Sequence, residues 1–198
     1  MPKTIDYYFS PMSPWTYLGH ARFDEMLARS GAQVNVKPVD YGRVFPVSGG
    51  LPVKQRAPQR QAYRLTELRR WREHLGVPLN LEPKYFPYAT DGASCMIIAA
   101  DRQHGTQVAM RLAYRIMQAC WAHERNCADA ETLDQIAAGA GVDGAALRAK
   151  EGEAKAVYAA YTQEAIERQV FGAPSYVLNG EVFWGQDRLD FVERALAR

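Results

Sequence analysis

The chain of 198 residues holds only three cysteines, Cys95, Cys120 and Cys127, and no two of them form a Cys-x-x-Cys pair. Dithiol redox chemistry needs two neighbouring thiols, which nearly excludes a thiol–disulfide oxidoreductase. If Cys120 and Cys127 share a helix, a rise of about 1.5 Å per residue separates them by about 10 Å, beyond the ~7 Å a disulfide can bridge. This usage points to a reducing, cytoplasmic compartment. The four histidines, His20, His74, His104 and His123, lack ligand spacing among themselves or with the cysteines, so no metal centre is expected. No run approaches the ~18 apolar residues of a membrane span. Met1-Pro2-Lys3 leads straight into a strand-like segment containing Asp6, unlike a secretory leader. Neither sign of charge dominates: 24 Lys and Arg face 22 Asp and Glu, which argues against a general polyanion binder. Low-complexity tracts and 20–50-residue repeats are missing too, as expected of a folded globular chain.

What is present is an ordered succession of patterns. Thr4-Ile5-Asp6-Tyr7-Tyr8-Phe9 is β-branched and aromatic, and predicts a strand over 3–9. Tyr17, Leu18, Phe23, Met26 and Leu27 recur at helical spacing over about 13–29, Gly31 marks a turn, and Gln33 to Val39 reads as a second strand. From Tyr41 to Pro58, glycine and proline punctuate what reads as a long connection. The middle is helical: about 59–75 with Leu65, Leu68, Trp71 or Arg72, and Leu75 as its stripe, then 91–124 broken near Gly105, 130–139, 143–150 and 151–168. In the last of these Val157, Tyr161, Ala165 and Ile166 form the apolar seam. Ser175–Leu178 and Glu181–Trp184 flank Asn179-Gly180, a strong hairpin signal. A last helix over about 187–197 carries Leu189, Val192 and Leu196. The order βαβ, helices, ββα is that of an α/β thioredoxin-like domain, 1–58 plus 170–198, interrupted by an all-helical insertion domain over 59–169.

In such a fold Ser13-Pro14-Trp15-Thr16 occupies the strand-to-helix junction where a redox motif would stand. Backbone N–H groups and the positive end of the helix dipole favour an anion in front of Ser13, and a thiolate is such an anion. With no thiol of its own there, the protein would have to receive one. Ser13 is equally suited to be a plain N-cap, and Ser10 is a nearby competitor that also precedes a proline. A second motif, Phe171-Gly172-Ala173-Pro174, sets an X-Pro bond before a strand. If that bond is cis, the Ala173 main chain is presented to an extended peptide. A third is basic: between Lys54 and Arg72, seven cations (Lys54, Arg56, Arg60, Arg64, Arg69, Arg70, Arg72) meet one anion, Glu67. Most of these read as a solvated helix face. No nucleic-acid motif accompanies them.

Residues 13–18 (Ser-Pro-aromatic-Thr-Tyr-Leu), Val170 to Pro174, and Trp184-Gly185-Gln186-Asp187-Arg188-Leu189 together resemble 2-hydroxychromene-2-carboxylate isomerases, relatives of the kappa-class glutathione transferases. The resemblance covers essentially the whole chain, including Tyr63 to Trp71 and Leu75 to Leu79. It implies glutathione as cofactor, a homodimer, and a small aromatic carboxylate as substrate. Ser13 would support the glutathione thiolate, Ala173 and Pro174 would pair with its cysteinyl part, and Gln186 and Asp187 would hold its γ-glutamyl end. Arg60 matches a position where relatives carry a lysine near the glycine carboxylate, so the residue type departs from them. Trp15 and Tyr88 are expected to line the substrate pocket. The implied reaction is the glutathione-dependent conversion of 2-hydroxychromene-2-carboxylate to trans-o-hydroxybenzylidenepyruvate in aromatic degradation. Alternatives are a kappa-like transferase or peroxidase, and a redox-inactive binding protein in which Ser13 and Thr16 merely replace cysteines.

Overall fold

Alternation along the first strand decides the architecture. In the computed structural model, which describes residues 3–198, strand β1 (Thr4–Phe9) sends Ile5, Tyr7 and Phe9 to one face and Tyr8 to the other, and all four are fully buried. A strand apolar on both faces belongs inside a sheet. β1 is accordingly central: the order is β2-β1-β3-β4, with β2 (Gln33–Pro38) parallel to β1, and β3 (Ser175–Leu178) and β4 (Glu181–Trp184) antiparallel. Parallel β1 and β2 need a crossover, supplied by helix α1 (Pro14–Ser30). Gly31 ends that helix at φ 66°, where only glycine is unstrained, and its N–H returns to the Leu27 carbonyl at 2.9 Å. Asn179 and Gly180, at φ 53° and 84°, make the tight β3–β4 turn expected of Asn-Gly.

Between β2 and β3 lie α2 (Tyr41–Ser48), a 3-10 turn (Val53–Gln55), α3 (Pro58–Leu75), α4 (Asp91–His104), α5 (Thr106–Trp121), α6 (Ala130–Gly139), α7 (Gly144–Arg148) and α8 (Glu151–Glu167). After β4 come a 3-10 turn (Gln186–Arg188) and α9 (Leu189–Leu196). Among the described residues no helix is long and apolar enough to cross a membrane.

Four local readings need correction. The connection after Tyr41 begins with a helix, because the Asp40 carboxylate caps the Gly42 amide at 2.8 Å and Val44 is buried. Pro46 costs that short helix only the bond to the Gly42 carbonyl. The buried face of α3 is Arg64 and Leu68, with Leu65 only half-buried. The buried seam of α8 is Ala154, Tyr158, Thr162 and Ala165; Thr162 is carried inside because its hydroxyl donates to the Tyr158 carbonyl and accepts from the Asp40 amide. Cys127 lies beyond the end of α5, so it does not share a helix with Cys120.

Two polar ties fasten the helices to the sheet. His20 on α1 is fully enclosed: its Nε2–H donates to the Met110 carbonyl at 3.0 Å, and its Nδ1 accepts from the Tyr7 hydroxyl at 3.1 Å. A carbonyl only accepts, which fixes the neutral tautomer. Burial pushes this imidazole down to about 4. On β2, Lys37 lies 2.9 Å from both Asp6 and Glu164, joining α8 to the sheet edge.

Candidate active site

Ser13 stands just before the first turn of α1, with extended backbone (φ −77°, ψ 123°). Its N–H donates to the Ser10 carbonyl at 3.0 Å, and its Oγ accepts the Thr16 amide at 3.2 Å. It is therefore the N-cap, and Pro14 follows where a missing N–H costs nothing. Capping uses the oxygen as acceptor. The hydroxyl proton remains free to donate outward, along the axis where the first N–H groups of the helix also point. Ser10 serves differently, its Oγ accepting the Met12 amide within the loop. Thr16 is completely buried, and its Oγ1 has no partner among the described residues. Only Ser13 of the pair reaches the surface.

The chain's own thiols cannot act here. Cys95, Cys120 and Cys127 are buried, and burial raises them to about 11, 12 and 12. All three are protonated near neutral pH.

The Ala173-Pro174 bond is cis. The β1–β3 ladder ends with Tyr8 opposite Ser175, so Ala173 and Pro174 lie just beyond it, at the end of the sheet where the chain leaves β1 for residues 10–13. On the other side, the Gly185 amide donates to the Pro174 carbonyl at 2.9 Å. Residues 10–13, 173–174 and 185–187 are thus brought together at one end of the sheet. Among the described residues, no hydrogen bond takes up the Ala173 N–H or C=O. An extended peptide laid there would find one donor and one acceptor ready. The neighbouring Gly172 carbonyl is fully engaged, by the Tyr41 hydroxyl at 2.9 Å and Ser175 Oγ at 2.7 Å. A Cβ on Gly172 would strike the Trp184 indole.

Gln186 is buried and packs directly against Gly19 of α1, where an added Cβ would meet the Gln186 Cβ at 2.6 Å. Its Oε1 accepts from Arg22 Nη1 at 3.0 Å, so its side chain fixes the 3-10 turn to the helix. Asp187 is exposed beside it and pairs with Arg188 at 2.7 Å. Trp15 is half-buried against the main core. Tyr88 is buried under the loop, its hydroxyl donating to the Pro11 carbonyl at 2.9 Å. Arg60 is exposed on the first turn of α3.

Reading the sequence as a solvated basic face missed Arg64, which is 8% exposed and stacks on Phe86. Its signal was the i, i+4 spacing with buried Leu68. Tyr41, read as loop, proves to be the anchor of Gly172.

Comparison with known proteins identifies the family and the fold. The family described as the DSBA-like thioredoxin domain matches residues 4–197. The chain is 28% identical over 201 residues to the 2-hydroxychromene-2-carboxylate isomerase of Sphingobium xenophagum, covering 99% of each chain. It is 22% identical over 207 residues to glutathione S-transferase kappa 1 of Caenorhabditis elegans, covering 97% of this chain and 91% of that one. A solved 2-hydroxychromene-2-carboxylate isomerase superposes with a TM-score of 0.80 at 27% identity, over 98% of this chain and 95% of the other.

Proposed function

The chain belongs to the DsbA-like thioredoxin family, and on that premise we propose that it is a glutathione-dependent isomerase acting on 2-hydroxychromene-2-carboxylate or a close analogue. The observation that carries this reading is the state of Ser13: an N-cap whose oxygen accepts the Thr16 N–H and whose proton, like the Ala173 main chain nearby, has no partner among the described residues. These groups fit glutathione, a short extended peptide with a thiol at its centre. The assignment to an isomerase rather than another thiol-using enzyme is supported by the names of relatives that match over nearly the whole chain.

Bound glutathione would supply a nucleophilic sulfur that adds to a conjugated double bond, lets the resulting single bond rotate, and leaves unchanged. Ser13 donates its hydroxyl proton as a hydrogen bond to the sulfur and, with the start of α1, favours the thiolate over the thiol. Ala173 fixes the cysteinyl main chain by strand addition, with Pro174 ending the exposed edge. The turn at Gln186 and Asp187 receives the γ-glutamyl end, Asp187 facing its ammonium. Arg60 is assigned to the glycine carboxylate, and Trp15 and Tyr88 to the wall of the aromatic pocket. In this reading residues 1–58 and 170–198 form the glutathione-binding domain, and the helices of 59–169 form the substrate side. The enzyme is taken to work as a homodimer in a reducing, cytoplasmic compartment.

The test is an ultraviolet assay of the chromene carboxylate with and without glutathione, counting free thiols at the end. Glutathione-dependent conversion with no thiol consumed is the expected result. Consumption of thiol would convert the reading to a kappa-like transferase or peroxidase. No conversion and no glutathione binding would leave a binding protein.

A further inference from the structure

Arg22 spends its donors on neutral oxygens in a charged neighbourhood. It lies half-buried on α1, and its Nη1 donates to the Gln186 carbonyl at 3.4 Å and to Gln186 Oε1 at 3.0 Å. Beside it runs a cleft of about 270 Å³ between α1 and α9, lined also by Glu25, Asp190 and Glu193. Arg29 takes Glu193 at 3.1 Å and Arg188 takes Asp187 at 2.7 Å, while no carboxylate stands within ion-pair distance of Arg22 among the described residues. A guanidinium with three acids around its cleft is thus committed to one glutamine.

That contact decides which way the Gln186 amide points. An arginine donates and never accepts, so the amide oxygen must face Arg22 and the NH2 group must face away from it. The rest of the residue is held by other means: Gly19 packs against its Cα and Cβ, and the preceding Gly185 amide donates to the Pro174 carbonyl at 2.9 Å. Rotation of the amide is what Arg22 alone controls. Gln186 Nε2 makes no hydrogen bond with any described residue, and unlike the Thr16 hydroxyl it is not wholly enclosed. It is a donor without an acceptor, next to Asp187, at the end of the sheet where Ser13 and Ala173 also lie.

We propose that Arg22 is a positioning residue for ligand selection: by holding the Gln186 amide oxygen it aims the Gln186 NH2 group at the α-carboxylate of the ligand's γ-glutamyl end, while Asp187 faces the ammonium. Arg22 itself touches no ligand. The inference rests on the glutathione reading of the site, and it adds the residue that makes the site select an intact α-amino-acid head.

The test compares calorimetric titrations with glutathione and with 4-aminobutyryl-cysteinylglycine, which keeps the ammonium, thiol and glycine and lacks only that α-carboxylate. The intact protein is expected to prefer glutathione by ~10-fold, the worth of one good charged hydrogen bond. Arg22→Met is expected to bind the two peptides equally, with the affinity the intact protein has for the decarboxylated one. Arg22→Lys keeps a donor without the fork and retains a reduced preference. Gln186→Glu keeps an acceptor for Arg22 but sets an oxygen where the NH2 group stood, and is expected to favour the decarboxylated peptide; with Arg22→Lys it gives the same comparison should Arg22→Met fail to fold. A merely structural Arg22 would weaken both peptides together and leave their ratio unchanged, and an undiminished ratio in the Arg22 variants overturns the proposal. If the intact protein binds the decarboxylated peptide as well as glutathione, the glutathione reading stands and this proposal falls. If it binds neither, both fall.

Discussion

The Thr16 amide donates to Ser13 Oγ over 3.2 Å, and this bond decides what the serine can do. One lone pair is spent on the helix, while the hydroxyl proton has no acceptor among the described residues. Capping and catalysis therefore separate by substitution. Ser13→Ala removes both and costs about 1 kcal/mol of stability, whereas Ser13→Gly keeps most of the capping and costs a few tenths. Turnover of the chromene carboxylate is expected to fall about 10²-fold in both, as when one preorganised donor to a developing anion is lost. Melting curves beside steady-state rates check this. Activity that follows stability, with Ser13→Gly close to the original, would reduce Ser13 to a cap.

Gly19 faces the backbone of Gln186, whose Cα would lie 3.3 Å and Cβ 2.6 Å from an added methyl. Gly19→Ala is favourable for the helix itself by up to about 1 kcal/mol, yet must push the 186–188 turn away. Overpacking costs about 1–3 kcal/mol, so the net effect is a loss of stability. Glutathione affinity should weaken as Gln186 and Asp187 move, and calorimetry measures it. Unchanged affinity would detach that turn from the glutathione site.

His20 makes stability depend on pH. Its folded form binds a proton less readily than the unfolded chain, with about 4 set against an ordinary 6.5, and burial is the main cause. Its contribution is complete above 6.5 and is lost as pH falls toward about 4, because the unfolded state then holds the extra proton. That gap corresponds to about 3 kcal/mol. In urea unfolding, the advantage of the natural protein over His20→Gln should shrink by about this amount between neutrality and about pH 4. A constant difference would contradict the assignment.

Lys37, Asp6 and Glu164 form a tie between sheet and helix, with the Lys37 side chain 9% exposed. Lys37→Met leaves Asp6 and Glu164 to Arg168, with Asn35 still donating to Asp6, and a loss of about 1–3 kcal/mol is expected. Glutathione binding measured below the lowered melting temperature should be unaffected. A loss under about 1 kcal/mol would show that Arg168 and Asn35, not the lysine, hold the carboxylates.

Legibility from sequence followed the physics of each segment. β1, α1 and the β3–β4 hairpin were readable because alternation, capping and Asn-Gly are local signals that tertiary packing reinforces. α2 was not, since Pro46 and Gly42 resemble loop punctuation unless the Asp40 cap is seen. On α8 the buried residues include Thr162, which enters the interior only because both of its hydrogen bonds are made there. Arg64 was hidden by composition: among seven cations in one stretch, nothing in the sequence marks the one that turns inward. Ser13 stands at the helix start and the Ala173-Pro174 bond is cis, both legible locally, while Arg60 was placed only by resemblance and lies exposed on α3.

The most direct measurement is the ionisation of bound glutathione, followed by thiolate absorbance as pH is raised, in the natural protein and in Ser13→Gly. The account predicts a bound thiol ionising near neutrality, well below its free value of about 8.5, and returning most of the way toward that value in the variant. A bound thiol that ionises at its free value, or at the same lowered value in both proteins, would contradict the role given to Ser13.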